Sequence, residues 1–409
     1  MSTYLIKRTN AELPILLGKI KKSPFYQKKL IEISRPHSIK DIPFTTKEEL
    51  RRASKFDLLA VEAKFISHYH ESSGTTGIPS TSWYTKNDLE TGGKEIAASG
   101  IKLNEDDLIL IRFPFSLYVP AFLVLQAAYY KNAAVIPASS RNTVATYTKV
   151  LELMTELKAT VFAGIPRELE LLAETASQLS LNLHDALPNL RGILVAGELL
   201  SPCRKAYLEK QWGKPIYNLY GSTETGNIAK MCEYGVLHLS EENYLIEVYD
   251  EDLNQEKKIG EKGVAVITTL TNQGSPLLRY VSEDLVSLHN TNCKCGSNHL
   301  EVRHYGRLKD CLSYGSKTLS LYDFQEVIYS LEQIPIAWKV QEKDYGIEIF
   351  MQYNEDLHQT KGAILEFLTE KIDIPGKIDL TLDKQLFDTS MLLNNDTSRK
   401  PVYIEKTIQ

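Results

Sequence analysis

The sequence predicts an α/β protein in two parts: a large N-terminal domain with a helix-covered, mainly parallel sheet plus a β-rich layer, then a small α+β C-terminal domain. Three observations predict it. Between residues 108 and 218 short apolar runs alternate with helical patterns, as in a parallel sheet with helices on its faces. From about Gly235 the pattern changes to alternating segments that read as antiparallel or barrel-like strands. Around Gly306 to Asp310 the chain turns polar, and beyond it lies a short helix, hairpin, helix and strand, so the boundary falls between residues 309 and 310.

Taken in order, Asn10 to Lys29 carries apolar residues at helical spacing, broken at Ser23-Pro24-Phe25-Tyr26, and Pro43-Phe44-Thr45-Thr46-Lys47 leads into a charged helix ending at Arg52. Next come two short aromatic and β-branched segments, Phe65 to Tyr69 and Thr81 to Tyr84, which read as strands. The loop between them runs Ser72-Ser73-Gly74-Thr75-Thr76-Gly77-Ile78-Pro79. Its glycines allow close backbone approach, and its main-chain N–H groups and hydroxyls supply donors for an anion, so it reads as a phosphate cradle. No Walker lysine follows, which excludes a P-loop NTPase. Thr85 and Asp88 then form a capping-box pattern that opens a helix.

Buried strands are predicted at Leu108 to Phe113, Ala133 to Ile136, Thr160 to Ala163, Gly192 to Ala196 and Pro215 to Asn218. Helices fall near Ala121 to Lys131, Ala145 to Leu157, Arg167 to Gln178 and Pro202 to Trp212. In such sheets ligands sit beyond the carboxyl ends of the strands. Two stretches fall there: Ala196-Gly197-Glu198, and Tyr220-Gly221-Ser222-Thr223-Glu224-Thr225. Alternating strands follow at Tyr244 to Val248, Val264 to Ile267 and Leu277 to Leu288. In the small domain the elements are a helix over Tyr322 to Leu331, a hairpin pairing Ala337 to Val340 with Ile347 to Gln352, a helix over His358 to Lys371 and a final strand.

The 409 residues are 43% hydrophobic and 24% charged, with a formal net charge of −5, so no polyanionic partner is implied and nucleic acid is excluded as one. No apolar run is long enough to cross a bilayer and no signal-peptide core follows Met1, so a cytoplasmic protein without a membrane partner is expected. Five cysteines without a secretory signal do not make a disulfide framework. Four groups do cluster by type: Cys232 and His238, separated by five residues, and the knuckle Cys293-Lys294-Cys295-Gly296. Three thiolates and one imidazole would close a tetrahedral zinc site, with His299 and His304 as alternative ligands. Cys203 and Cys311 read as ordinary free cysteines.

In order along nearly the whole chain, Ser23 to Tyr26, Pro43 to Lys47, Ser72 to Pro79, Gly197-Glu198, Tyr220 to Glu224, Arg279-Tyr280 with Asp284, and Gly306 to Asp310 resemble the acyl-adenylate-forming enzymes. Within them the chain resembles the phenylacetate–coenzyme A ligase-like branch. The resemblance implies ATP held between a large domain and a small mobile one, an acid activated as its acyl-adenylate, and transfer to the thiol of coenzyme A or of a carrier protein's phosphopantetheine. It implies that Ser72 to Gly77 hold the pyrophosphate portion, that Thr223 contacts the α-phosphate and that Glu224 holds Mg²⁺. Gly197, Glu198, Asn218, Tyr220, Gly221 and Ser222 would line the nucleotide, Tyr220 offering an aromatic face to adenine. Asp284 would accept the ribose hydroxyls, Arg307 would approach ribose or phosphates, and Asp310 would be the hinge. Lys400 is the match for the family's catalytic lysine, with Lys377 and Lys406 as alternatives. The acyl pocket would be walled by Phe115, Tyr118, Val119, Phe122 and Ala196, suiting an aryl or medium acyl carboxylic acid. Branch members with Cys and His at matching places support structural zinc at Cys232, His238, Cys293 and Cys295.

The chain departs from the family pattern at Ile78, where a basic residue is usual, at Ser282-Glu283, where Thr-Gly is usual, and at Arg399, where glycine often precedes the lysine. Amine acylation, or an inactive nucleotide-binding and zinc-stabilised interaction module, are the alternative functions, and a homodimer is one open assembly state.

Overall fold

The computed structural model describes residues 3–33, 36–72, 78–315, 317–354, 360–383, 385–393 and 401–406, with side chains from residue 10 onward. The phosphate-cradle residues Ser73 to Gly77 and the candidate Lys400 therefore lie outside the described residues.

The entry layer is α1 (Thr3–Ile20), α2 (Pro24–Lys29) and α3 (Lys47–Arg52). Pro24 opens α2, where its missing N–H costs nothing. A hairpin follows, β1 (Ile66–Glu71) with β2 (Thr81–Thr85), and Thr85 caps α4 (Lys86–Ala97) through the expected capping box with Asp88.

The alternating region then gives β3 (Leu108–Ile111), α5 (Val119–Tyr130), β4 (Ala134–Ile136), α6 (Tyr147–Glu156), β5 (Val161–Gly164), α7 (Pro166–Gln178), the short α8 (Leu183–Ala186), β6 (Gly192–Val195) and α9 (Pro202–Trp212), and the chain enters β7 (Ile216–Ser222). These strands pair in parallel in the order β7-β6-β5-β3-β4. Alternate strand residues feed two cores, as the pleat requires. Ile109, Ile111, Val161, Ala163 and Leu194 pack with α4 and α5, whereas Leu110, Phe162, Ile193 and Val195 pack with α6, α7 and α9.

The β-rich segment comprises β8 (Gly226–Met231), β9 (Leu237–Leu239), β10 (Tyr244–Tyr249), β11 (Gly263–Thr269), β12 (Tyr280–His289) and β13 (Glu301–Arg307). It is not a separate layer. It continues the parallel sheet into one run, β10-β11-β12-β13-β9-β8-β7-β6-β5-β3-β4, because β7 outruns its parallel partner and turns back on β8 as an antiparallel hairpin. Tyr220 to Ser222 are thus strand residues and not a loop. Gly221 is required there: a Cβ would lie 2.0 Å from the Gly226 carbonyl oxygen. The weakest seam in the run is β9 with β13, registered by the single pair Glu301 with His238.

After a 3₁₀ turn at Leu308–Asp310 come β14 (Leu312–Tyr314), β15 (Lys317–Leu319), α10 (Leu321–Ile328), β16 (Ala337–Lys343), β17 (Gly346–Gln352), α11 (Lys361–Ile372), β18 (Lys377–Leu382) and β19 (Ile404–Glu405). Four of the strands form a sheet in the order β18-β17-β16-β19. Leu312, Phe324, Trp338, Ile349, Leu368 and Ile404 belong to one core, against which Cys203 and Tyr207 of α9 pack. Among the described residues no helix is long and apolar enough to cross a membrane.

Candidate functional site

The sheet brings the predicted nucleotide residues together at the far end of β7. Tyr220 Oη donates to Asp284 Oδ2 at 3.0 Å, and Arg307 Nε lies 3.7 Å from Asp284 Oδ1. The register explains this, since Asp284 of β12 stands opposite Arg307 of β13. Burial, and then the adjacent Asp284 carboxylate, push the Tyr220 phenol well above its ordinary value, so it remains a donor. Burial disfavours the Arg307 charge, but the Asp284 and Glu224 carboxylates more than offset it, so both anions face one guanidinium.

Glu224 is 4% exposed, and its Oε1 has no hydrogen-bond partner among the described residues. A buried carboxylate oxygen left without a donor is costly, and a hard cation satisfies it, so the residue fits Mg²⁺. Asn218 Oδ1, at the last parallel pair of β7 with β6, is likewise buried without a partner. The turn between them is tied by its own groups: Ser222 N donates to Thr225 Oγ1 at 3.2 Å, and the Thr223 carbonyl accepts from Tyr84 Oη at 2.8 Å. The Thr223 side chain is half-buried.

At the other predicted stretch, Gly197 turns at φ +84° two residues past the end of β6. The Glu198 carboxylate accepts from Arg204 Nη2 at 3.3 Å, a commitment that sequence reading did not foresee. The Tyr220 ring is also partly covered, its centroid 4.8 Å from that of His304. His304 therefore sits beside Asp284, 4.0 Å from Oδ1, and is not a zinc ligand. Of the phosphate cradle, Ser72 is described at its base: its N donates to the Ser80 carbonyl and its Oγ accepts from Ser80 N, both at 2.9 Å, which pinches the loop ends together.

Of the predicted acyl wall, Phe115 and Phe122 meet edge to face at 5.3 Å. Ala196 is buried at the end of β6, and Val119 is only 1% exposed, embedded in the core as the first residue of α5. The Tyr118 hydroxyl accepts from Arg141 Nη1 at 3.1 Å. Sequence reading missed His68 and His70, whose rings lie 4.7 and 5.3 Å from Phe122. Burial holds His70 down to about 4, and its Nδ1–H donates to the Leu117 carbonyl at 3.2 Å. The pair His68, His70 on alternate residues of a predicted strand was the available signal.

Glu283, the acidic departure, is balanced by Lys47 Nζ at 3.7 Å. Arg279 is a structural residue: its Nε meets Glu247 at 3.0 Å and its Nη1 donates to the Ile42 carbonyl at 2.7 Å, anchoring the entry layer. Asp310 ends the turn leading out of β13.

A second cluster gathers Cys232, His238, Cys293 and Cys295, whose ligand atoms all lie within 4.8 Å of one another. Cys232 and Cys293 sulfurs are 3.7 Å apart, and Cys295 Sγ is 3.3 Å from His238 Nε2. A tetrahedron with Zn–S of about 2.3 Å and Zn–N of about 2.0 Å has edges of roughly 3.5 to 3.8 Å, so the set fits zinc. His238 Nδ1–H donates to the His299 carbonyl at 3.2 Å, which aims Nε2 inward, and burial lowers the imidazole pKa, favouring the neutral ligand form. The His299 ring itself turns to Glu242 at 3.1 Å, so it too is not a ligand.

Residues 70–268 match the family described as AMP-binding enzyme. The phenylacetate-coenzyme A ligase of Thermus thermophilus is 29% identical over 280 residues, 66% of this chain and 61% of that protein. The aligned part thus spans less than two thirds of that relative's length. A 2-hydroxyisobutyryl-CoA ligase, solved in its postadenylation state with 2-HIB-AMP, superimposes with a TM-score of 0.86 at 18% identity, covering 99% of this chain and 90% of that one. The same ligase with 2-HIB-AMP and CoA in its thioesterification state gives 0.70 at the same identity and coverage. With an AMP-binding match over residues 70–268, sequence similarity to phenylacetate-coenzyme A ligases and the fold of a solved CoA ligase, the chain is similar to the acyl-adenylate-forming enzymes.

Proposed function

We propose that the protein activates a small carboxylic acid with ATP and passes the acyl group to the thiol of coenzyme A. In the first half-reaction a carboxylate oxygen bonds to the α-phosphorus, the α–β bridging bond breaks and pyrophosphate leaves with the electron pair. In the second, the thiol loses its proton, its sulfur bonds to the acyl carbon, and AMP departs. Positioning and charge neutralisation supply most of such catalysis. The observation that carries the reading is the unsatisfied, buried Glu224 carboxylate beside the Tyr220, Asp284 and Arg307 cluster.

Asp284 would accept the ribose hydroxyls, Arg307 would offset phosphate charge, Thr223 would donate to the α-phosphate, and Ser72 to Gly77 would cradle pyrophosphate. Asn218, Gly197 and the backbone at Glu198, Gly221 and Ser222 would border the nucleotide. Mg²⁺, held by Glu224, would neutralise phosphate oxygens when bound. Residues 1–309 would form the adenylation domain and 310–409 a lid turning at Asp310, with Lys400 reaching the acyl carboxylate. Phe115 and Phe122, with His68 and His70 beside them, favour a flat aryl acid or a medium acyl acid. Zn²⁺ at Cys232, His238, Cys293 and Cys295 would be structural, because the four ligands leave no open position.

The test is incubation with ATP, Mg²⁺ and a panel of aryl and acyl acids, with and without coenzyme A, followed by mass spectrometry. An acyl-adenylate without coenzyme A, and AMP with an acyl-coenzyme A in its presence, are expected. An adenylate that reacts with added amines and not with coenzyme A would overturn the acceptor. Asp284→Ala is expected to raise the KM for ATP roughly 10- to 100-fold, the worth of hydrogen bonds to a charged group, with a smaller change in KM for the acid. Initial-rate kinetics with each substrate varied in turn check this.

A further inference from the structure

Arg204, on the third residue of α9, has no exposed surface, yet it carries a full charge where the two parts of the molecule meet. Its guanidinium carbon lies 5.5 Å from the ring centre of Tyr329 and 5.7 Å from that of Tyr403. Nε donates to Glu170 Oε1 at 2.8 Å, Nη1 to the Leu199 carbonyl at 3.0 Å, and Nη2 to Glu198 Oε2 at 3.3 Å and Tyr403 Oη at 3.1 Å. Tyr329 Oη donates to the same Glu170 oxygen at 2.6 Å. The other Glu170 oxygen takes Arg167 Nη1 at 2.8 Å, and that nitrogen also donates to the Ile336 carbonyl at 2.8 Å.

The network therefore has two owners. Arg167, Glu170, Glu198 and Arg204 come from the large domain, and Tyr329, Ile336 and Tyr403 from the small one. Buried charges of this kind are stable only while all their partners are present, so the network is either intact with the domains docked or opened to water as a whole. Its reach is what matters. One guanidinium ties the Glu198 turn, at the border of the proposed nucleotide site, to Tyr403, three residues after Lys400 in the sequence. This chain superimposes on 2-hydroxyisobutyryl-CoA ligase with a TM-score of 0.86 in the postadenylation state of that enzyme and 0.70 in its thioesterification state.

We propose that Arg204, with Glu170, Tyr329 and Tyr403, is a positioning network that docks the small domain for the acid-activating half-reaction and must open for the thioester-forming one. This rests on the adenylating function proposed above. Arg204 acts through Tyr403, by fixing the segment that follows Lys400 over the Glu198 turn.

The test is the double variant Tyr329→Phe with Tyr403→Phe, which removes two hydroxyls and keeps both rings, including the Tyr403 contact with Trp338 at 4.6 Å. Acid-dependent pyrophosphate exchange is expected to fall roughly tenfold or more, a misplacement effect, with KM for ATP little changed. Thioester formation from chemically prepared acyl-adenylate is expected to be unchanged or faster. Equal losses in both half-reactions, or a loss in neither, would overturn the proposal. Hydrogen–deuterium exchange of the substrate-free protein provides an arm independent of activity. Residues 321–331 and 401–406 are expected to lose protection in the double variant while 346–352 keep theirs. If no acid is activated by the unmodified protein, the catalytic reading fails, and the exchange arm still decides: unchanged protection of 321–331 overturns the docking role, and lost protection supports it.

Discussion

Lys400→Ala is expected to lower carboxylate-dependent pyrophosphate exchange by roughly two to three orders of magnitude, the cost of removing one preorganised charge-stabilising group, while ATP binding changes little. Lys400 itself lies outside the described residues. Tyr403 Oη accepts from Arg204 Nη2 at 3.1 Å, and β19 pairs in parallel with β16. Lys377 stands on β18, at the opposite edge of the four-stranded sheet, and its ammonium meets Asp379 at 2.8 Å. Lys406 is exposed at the end of the described segment. Exchange rates for Lys400→Ala, Lys377→Ala and Lys406→Ala, with ATP affinity measured by calorimetry, decide among them. A rate unchanged in the first variant moves the role to whichever of the other two loses activity.

Removal of the proposed zinc is expected to carry the second large effect, on stability. The four ligands come from the turn after β8, from β9, and from the connection between β12 and β13. They straddle the seam where the antiparallel part of the sheet is held to β9 by the one pair Glu301 with His238. In the knuckle, Gly296 at φ +84° lets its N–H reach the Cys293 carbonyl at 3.0 Å, which brings the two sulfurs to one side. A cation present at a thousandfold excess over its Kd stabilises by about 4 kcal/mol, and for a domain of this size that is roughly 6 °C in Tm. Metal analysis is expected to give about one zinc per chain, chelation to lower Tm by that order, and Cys295→Ser to do the same without chelator. A metal-free protein with unchanged Tm would contradict the site.

The sequence made the parallel half legible because each buried strand is a short apolar run closed by a turn, as at Gly192 to Ala196, and the helix that leads into it opens on the capping box of Thr85 with Asp88. It did not show that the β-rich segment continues the same sheet. That depends on β7 extending past Asn218 into a hairpin and on a pairing between residues 63 apart, neither of which leaves a local pattern. Tyr220, Asp284 and Arg307 were legible as a set only through their motifs, and their meeting follows from the β12 and β13 register. Side-chain commitments were not legible: Glu198 to Arg204 and His304 beside Asp284 depend on how turns and register aim the side chains, and Lys47 to Glu283 joins segments far apart in the chain. An arginine on an amphipathic helix ordinarily reads as a surface residue, which is why Arg204 went unnoticed.

The central claim is that this site joins a carboxylic acid to the α-phosphate of ATP. ATP–pyrophosphate exchange tests it most directly, because it reads the first half-reaction alone and needs no acceptor. Label from pyrophosphate is expected to enter ATP only when Mg²⁺ and a suitable aryl or acyl acid are both present, and Glu224→Gln is expected to reduce the rate roughly 100-fold or more. Absence of exchange across the acid panel, or exchange indifferent to the acid, would contradict it.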